Sequence, residues 1–63
     1  MDHRYDRLRS RDEKYYFTLK GGNGEIIGTS ETYNSQAARE GGISSVKSNA
    51  PTAVVKDLTK VAA

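Results

Sequence analysis

Gly21-Gly22-Asn23-Gly24 lies between two runs suited to extended chain, and this arrangement demands a β-hairpin. Before the turn, Tyr15, Phe17 and Leu19 point one way and Tyr16, Thr18 and Lys20 the other. Their aromatic and β-branched content suits a strand. The Asn-Gly pair supplies the positive φ angles of a tight hairpin turn, and residues 25–30 resume as the return strand. A phosphate-cradling loop would need a helix N-terminus and a placed lysine after the glycines. A strand follows instead, so these glycines make a turn.

A helix comes next. Asn34 or Ser35 can accept a bond from an unpaired amide of its first turn. Over residues 35–49 the helical wheel gathers Ala38, Gly42, Ile43, Val46 and Ala50 on one side, with Glu40, Ser44 and Lys47 opposite. Arg39 falls inside the apolar stripe and must snorkel or find a carboxylate. Gly41-Gly42 weakens the helix by about 1 kcal/mol per glycine relative to alanine, a cost offset by close approach to a sheet. Pro51 ends the helix.

Residues 52–63 hold a second apolar set, Val54, Val55, Leu58 and Val61. Neither face alternates cleanly, because Asp57 shares one with Val55 and Lys56 shares the other with Val54 and Leu58. That pattern fits a strand lying between two others, or one buried by a second chain. Residues 1–14 are dense in charge of both signs, with Tyr5 and Leu8 as their sizeable apolar anchors, and the pattern alone does not make them a strand.

A chain of 63 residues buries only about 60% of its unfolded surface, which leaves it marginal without help. Cysteine is absent and His3 is the sole histidine, so neither disulfides nor a metal cluster is expected to staple the fold. Association with another chain remains. The net charge of +2 comes from 10 basic and 8 acidic residues, a mixed surface and not an electrostatic footprint for nucleic acid. No apolar run approaches the ~20 residues of a membrane span, and the charged start lacks a signal-peptide core. A reduced cytoplasm is the expected compartment.

Several strings match a known pattern. They are Tyr16-Phe17-Thr18-Leu19-Lys20, Asn23-Gly24-Glu25-Ile26-Ile27 and Thr29-Ser30-Glu31-Thr32-Tyr33-Asn34-Ser35. Further on come Gly42-Ile43-Ser44-Ser45-Val46-Lys47-Ser48-Asn49-Ala50 and Val55-Lys56-Asp57-Leu58-Thr59. In these the chain resembles the YegP-like family of small bacterial proteins over residues 15–59. The resemblance implies an α+β fold, a β-β-β-α-β unit with an antiparallel sheet and one helix on one face. It further implies that single-unit members pair as homodimers, sharing one sheet and exchanging their C-terminal strands, where others carry two units in tandem. It would make residues 4–9 the first strand and 10–13 a turn. Arg7 departs from a position more often apolar in the family, and Glu13 from one often glycine. The family's biochemical role is not established, so the resemblance transfers no active-site residue.

The candidate chemistry is thin. Ser30, Glu31, Tyr33 and Asn34 form a polar cluster, but no histidine, cysteine or lysine stands by to activate a hydroxyl, and capping and turn bonds account for them. Glu31 and Asp57 are read as solvated carboxylates, not as an acid–base pair. Arg4, Arg7, Arg9 and Arg11 are interleaved with Asp2, Asp6, Asp12 and Glu13, which cancel most of their field. The expectation is therefore one domain over residues 1–63, with residues 1–3 and 60–63 as loose ends. No catalytic residue, cofactor or metal is assigned, and no enzymatic activity is expected. The expected partner is a second copy, joined through Val54, Val55 and Leu58. The alternative is weak nucleic-acid contact through Arg4, Arg9, Tyr16 and Lys20 on the open sheet face, where Tyr16 is the aromatic left exposed, near Tyr5.

Overall fold

A computed structural model of the chain describes residues 3–59. Val61 and the loose ends expected at residues 1, 2 and 60–63 lie outside the described residues. Three strands, β1 (Arg4–Arg9), β2 (Tyr15–Lys20) and β3 (Ile26–Thr29), form an antiparallel sheet in the order β1-β2-β3. One helix, α1 (Gln36–Asn49), covers one face, and a short 3-10 turn at Ala50–Thr52 follows it. The architecture is α+β as expected, but residues 53–58 form no strand, so the last strand of the implied β-β-β-α-β unit is absent from the described residues. The β1 strand, which composition alone does not reveal, occupies the residues implied by the family resemblance.

Register fixes what each face carries. Tyr5 lies opposite Leu19, Arg7 opposite Phe17 and Arg9 opposite Tyr15. These six residues face the helix, as the expected alternation of β2 requires. Arg4, Asp6 and Leu8 share the far face with Lys20, Thr18 and Tyr16. The ladder between β2 and β3 slips by one residue at Leu19/Lys20, so Lys20 pairs with Ile26 and Leu19 with Gly28. That bulge leaves Ile27 without a partner.

Both hairpins use the same three-residue loop, a type I turn followed by a left-handed residue. In the first, the Ser10 carbonyl accepts from the Glu13 amide at 3.0 Å and the Ser10 amide donates to the Lys14 carbonyl at 2.9 Å. In the second, Gly21 makes the equivalent bonds with Gly24 and Glu25, each at 3.0 Å. The left-handed residues are Glu13, with φ 63°, and Gly24, with φ 82°. A two-residue Asn-Gly turn would need positive φ at Asn23 as well, and Glu13 is the only such non-glycine residue among those described. Asn23 instead accepts the Glu25 amide through its Oδ1 at 3.1 Å.

The helix begins at Ser35, whose hydroxyl accepts the Ala38 amide at 3.0 Å. This side chain satisfies one of the orphan donors of the first turn. Asn34, the other expected cap, accepts instead from Lys14 Nζ through its Oδ1. The core beneath is small, with Phe17 and Ile43 as the buried apolar residues. Phe17 stacks on Tyr33 at 6.4 Å between ring centres and tilts against Tyr5 at 6.0 Å. Tyr5 therefore lies under the helix and not near Tyr16 on the open face. Ala38 and Ala50, both expected in the apolar stripe, are exposed.

Arg39 resolves its awkward position by several contacts. Its guanidinium lies 5.3 Å from the Tyr15 ring centre, donates to the Leu8 carbonyl at 3.3 Å and reaches Glu40 at 3.3 Å. Glu40 was expected on the solvent side but turns to the sheet, where Arg7 grips it with two bonds of 2.7 and 2.8 Å. A forked guanidinium–carboxylate pair suits this geometry. Arg7, standing opposite Phe17, thus ties the first strand to the helix with charge.

Two outcomes follow from these contacts. Glu13→Gly removes about 1–2 kcal/mol of left-handed strain and gives back about 0.4–1 kcal/mol of chain entropy, for a net gain of up to about 1 kcal/mol in urea unfolding. The pair with Arg7 holds the Glu40 carboxyl below the usual glutamate range, and Arg4 does the same for Asp6. A carboxyl depressed in the folded state adds stability above its unfolded value and loses it as pH falls. The melting temperature should drop progressively below about pH 4.3, the ordinary glutamate value, and Glu40→Gln should flatten part of that drop.

Candidate association surface

The two edges of the sheet differ. The β1 edge alternates Arg4, Asp6, Arg7 and Arg9 with two apolar residues, a charged edge of the kind that discourages pairing. The β3 edge is short, carries Ile26 and Ile27 at 59% and 65% exposure, and has no strand beside it among the described residues. Just past β3, Ser30 continues the ladder by donating its amide to the Phe17 carbonyl at 2.9 Å. Its hydroxyl accepts the Phe17 amide at 3.0 Å. The chain then swings out and returns at Tyr33, which bridges Tyr15 with bonds of 2.9 and 2.6 Å. Capping and turn bonds were expected of Ser30 and Tyr33; Ser30 makes one local bond, to the Glu31 carbonyl, but both residues bond across to β2.

Between this edge and the helix lies a groove of about 280 Å³, lined by Phe17, Leu19, Gly28, Thr29, Ser30, Glu31, Tyr33 and Val46. Its floor is the helix-facing side of β2 and β3, and Val46 forms its wall. Gly28 adds no side chain there, and a Cβ at that position would meet nothing within 4 Å. At the other end of the groove Tyr33 lies tight against the helix. A Cβ on Gly42 would come 2.8 Å from the Tyr33 Cζ and 3.1 Å from the Phe17 Cε1, and closer still to the Tyr33 hydroxyl. Gly42 is thus what lets the helix sit down on the aromatic layer.

The C-terminal segment that follows, residues 53–58, belongs to no helix or strand. Val54, Val55 and Leu58 are exposed by 87%, 98% and 66%. Large apolar side chains held this far out of contact are costly to leave in water. Asp57, beside them, bonds the Thr59 amide at 3.0 Å and is not near a catalytic partner. The structure thus brings together the acceptor-like edge and groove within one copy, while the residues expected to join copies stand free of it.

The four residues considered for nucleic-acid contact do not gather in one place. Arg4, Tyr16 and Lys20 lie on the open face, whereas Arg9 lies on the helix side with its guanidinium 4.9 Å from the Tyr15 ring centre. Asp6 stands between Arg4 and Lys20, at 2.9 and 3.3 Å, and neutralises much of their charge. Thr18 at the centre of that face is buried, flanked in register by Asp6 and Thr29. Sequence reasoning missed the groove, because Leu19, Gly28 and Val46 meet only once the helix is placed. No group of three metal-ligating side chains occurs among the described residues, and no described helix is long and apolar enough to cross a membrane.

A three-stranded meander under one helix, with an unpaired apolar tail, defines a small α+β domain of a kind that recurs in solved structures. A Haloferax volcanii protein solved by NMR superposes with a TM-score of 0.81 and 33% identity, over 89% of this chain and 95% of that one. A Shewanella oneidensis protein gives 0.80 and 49% identity, over 87% of this chain and 47% of that one. The chain belongs to the family described as domain of unknown function DUF1508, which matches residues 10–57. Among curated relatives, the UPF0339 protein of Acinetobacter baylyi is 53% identical over 92% of this chain and 52% of its own length. YegP of Escherichia coli is 43% identical over 94% of this chain and 54% of its own length. The chain spans about half the length of the curated relatives it matches.

Filling the space over Gly42 tests the helix–aromatic contact. Gly42→Ala gains about 1 kcal/mol of helix propensity but forces Tyr33 and Phe17 apart, at about 1–3 kcal/mol. Urea unfolding should register a net loss of stability, partly recovered when Tyr33→Phe removes the hydroxyl nearest the new methyl.

Proposed function

We propose that this protein is an interaction module that works as a homodimer, each copy laying its C-terminal segment along the β3 edge of the other. Val54, Val55 and Leu58 would then supply the apolar filling for the groove beneath Val46. The segment becomes the fourth strand of the implied β-β-β-α-β unit, and the two sheets run together with both helices on one face. The observation that carries this reading is the pairing of two deficits in one chain: Val55 at 98% exposure and an apolar groove beside an unpaired edge. Each is what the other lacks. Strand addition satisfies backbone groups along the edge while side chains fill the groove.

The length of the curated relatives fits this picture, since a chain about twice as long has room for two such units in tandem. There the second unit would do for the first what a second copy does here. No residue set in the groove or on the open face supports an enzymatic role, and a reduced cytoplasm suits a chain without cysteine. Nucleic-acid contact has Tyr16 in its favour and the Asp6 bridge against it. Titration of a labelled single-stranded oligonucleotide at low salt should give no shift below about 100 micromolar, and a tighter salt-sensitive response would revive that reading.

Light scattering at micromolar concentration should return about twice the chain mass of 6.9 kDa. Val55→Asp places a charge where the groove offers no partner, and should abolish association and with it cooperative folding. A folded wild-type monomer at that concentration would sink the proposal.

A further inference from the structure

The dimer reading leaves open why a tail should cross to another copy when its own groove is close by. Fold topology does not forbid the short route. The helix starts near the Tyr15–Tyr33 bridge and runs back until Val46 stands at the groove and Lys47 lies 5.6 Å from the Tyr5 ring centre. A strand after it, parallel to β3 in the same chain, would complete a crossover through the helix. Proximity favours that route strongly, because a short flexible tether gives effective concentrations in the millimolar range. At micromolar protein, a freely jointed tail would fill its own groove first.

The segment after the helix is not freely jointed. Asn49 and Ala50 keep right-handed helical backbone angles, and the Ala50 amide donates to the Val46 carbonyl. Pro51 stands at the start of the 3-10 turn, the Ala53 amide closes that turn on Ala50 at 3.2 Å, and the Thr52 hydroxyl reaches the Asn49 carbonyl at 3.4 Å. The chain therefore continues along the helix direction through Thr52. Two steps then remain to Val54, a reach of roughly 7 Å, against the roughly 10 Å that separates packed layers. The radius of gyration is 14.1 Å, against about 11 Å for a compact chain of this length.

We infer that the Asn49–Ala53 hinge, stiffened by Pro51, chooses the partner: it holds the tail off its own groove and so commits it to a second copy. This rests on the dimer reading above and adds a cause to it. Short hinges favour exchange between copies, and longer ones allow the element to fold back.

Insertion of Gly-Gly-Ser-Gly between Thr52 and Ala53 tests the hinge apart from the dimer. The lengthened chain should scatter as a folded particle of 6.9 kDa plus the insert while the wild type remains at twice its chain mass. Pro51→Ala, a gentler change, should raise the dimer dissociation constant roughly fivefold, the equivalent of about 1 kcal/mol of hinge freedom. A wild-type dimer whose lengthened variant stays dimeric at the same concentration overturns the hinge and spares the dimer. So does an unfolded lengthened chain accompanied by a Pro51→Ala dimer of unchanged affinity. A monomeric wild type overturns both.

Discussion

Phe17 is held from three directions, and the interior of this unit is organised around it. Tyr5 leans on it from the neighbouring strand, Tyr33 stacks on it from the loop before the helix, and the bare Cα of Gly42 lets the helix approach from above. Ile43 is the other apolar residue buried to a comparable degree. With so few side chains out of water, the hydrophobic contribution is small for a chain that must order more than fifty residues. Charge then takes over work that a larger domain would leave to aliphatic packing. Arg7 and Glu40 clamp the first strand to the helix, and Arg39 lies against Tyr15 where an aliphatic residue would otherwise sit.

Much of this could be read from residue order. The alternation of Tyr15 through Lys20 placed the helix-facing side correctly, and the helix came within a residue of its observed start because Ser35 has the chemistry of a cap. The turn type could not be read so well. Asn-Gly favours a two-residue loop, yet the extra glycines before it allow a three-residue one, and only the hydrogen bonds at Gly21 distinguish them. The first strand was invisible to periodicity, since its alternate positions on the helix side are Tyr5, Arg7 and Arg9 and two of these are charged. Family resemblance supplied it where physics of the isolated segment did not.

The groove was hidden for a different reason. Its lining comes from three separate stretches of chain, and no local pattern encodes a gap between them. What the sequence did carry was the complementary sign, an apolar tail whose faces do not alternate. In the structure that tail stays exposed at Val54, Val55 and Leu58, beyond the short turn at Pro51.

The unlike edges of the sheet have a consequence for assembly size. A subunit with two sticky margins would stack without limit, as fibrils do. Here one margin carries Arg4, Asp6, Arg7 and Arg9, and the other is the short β3 edge with Ile26 and Ile27 exposed. Under the proposed exchange each copy has one plug and one socket, so two copies meeting reciprocally would close on themselves and leave nothing to propagate.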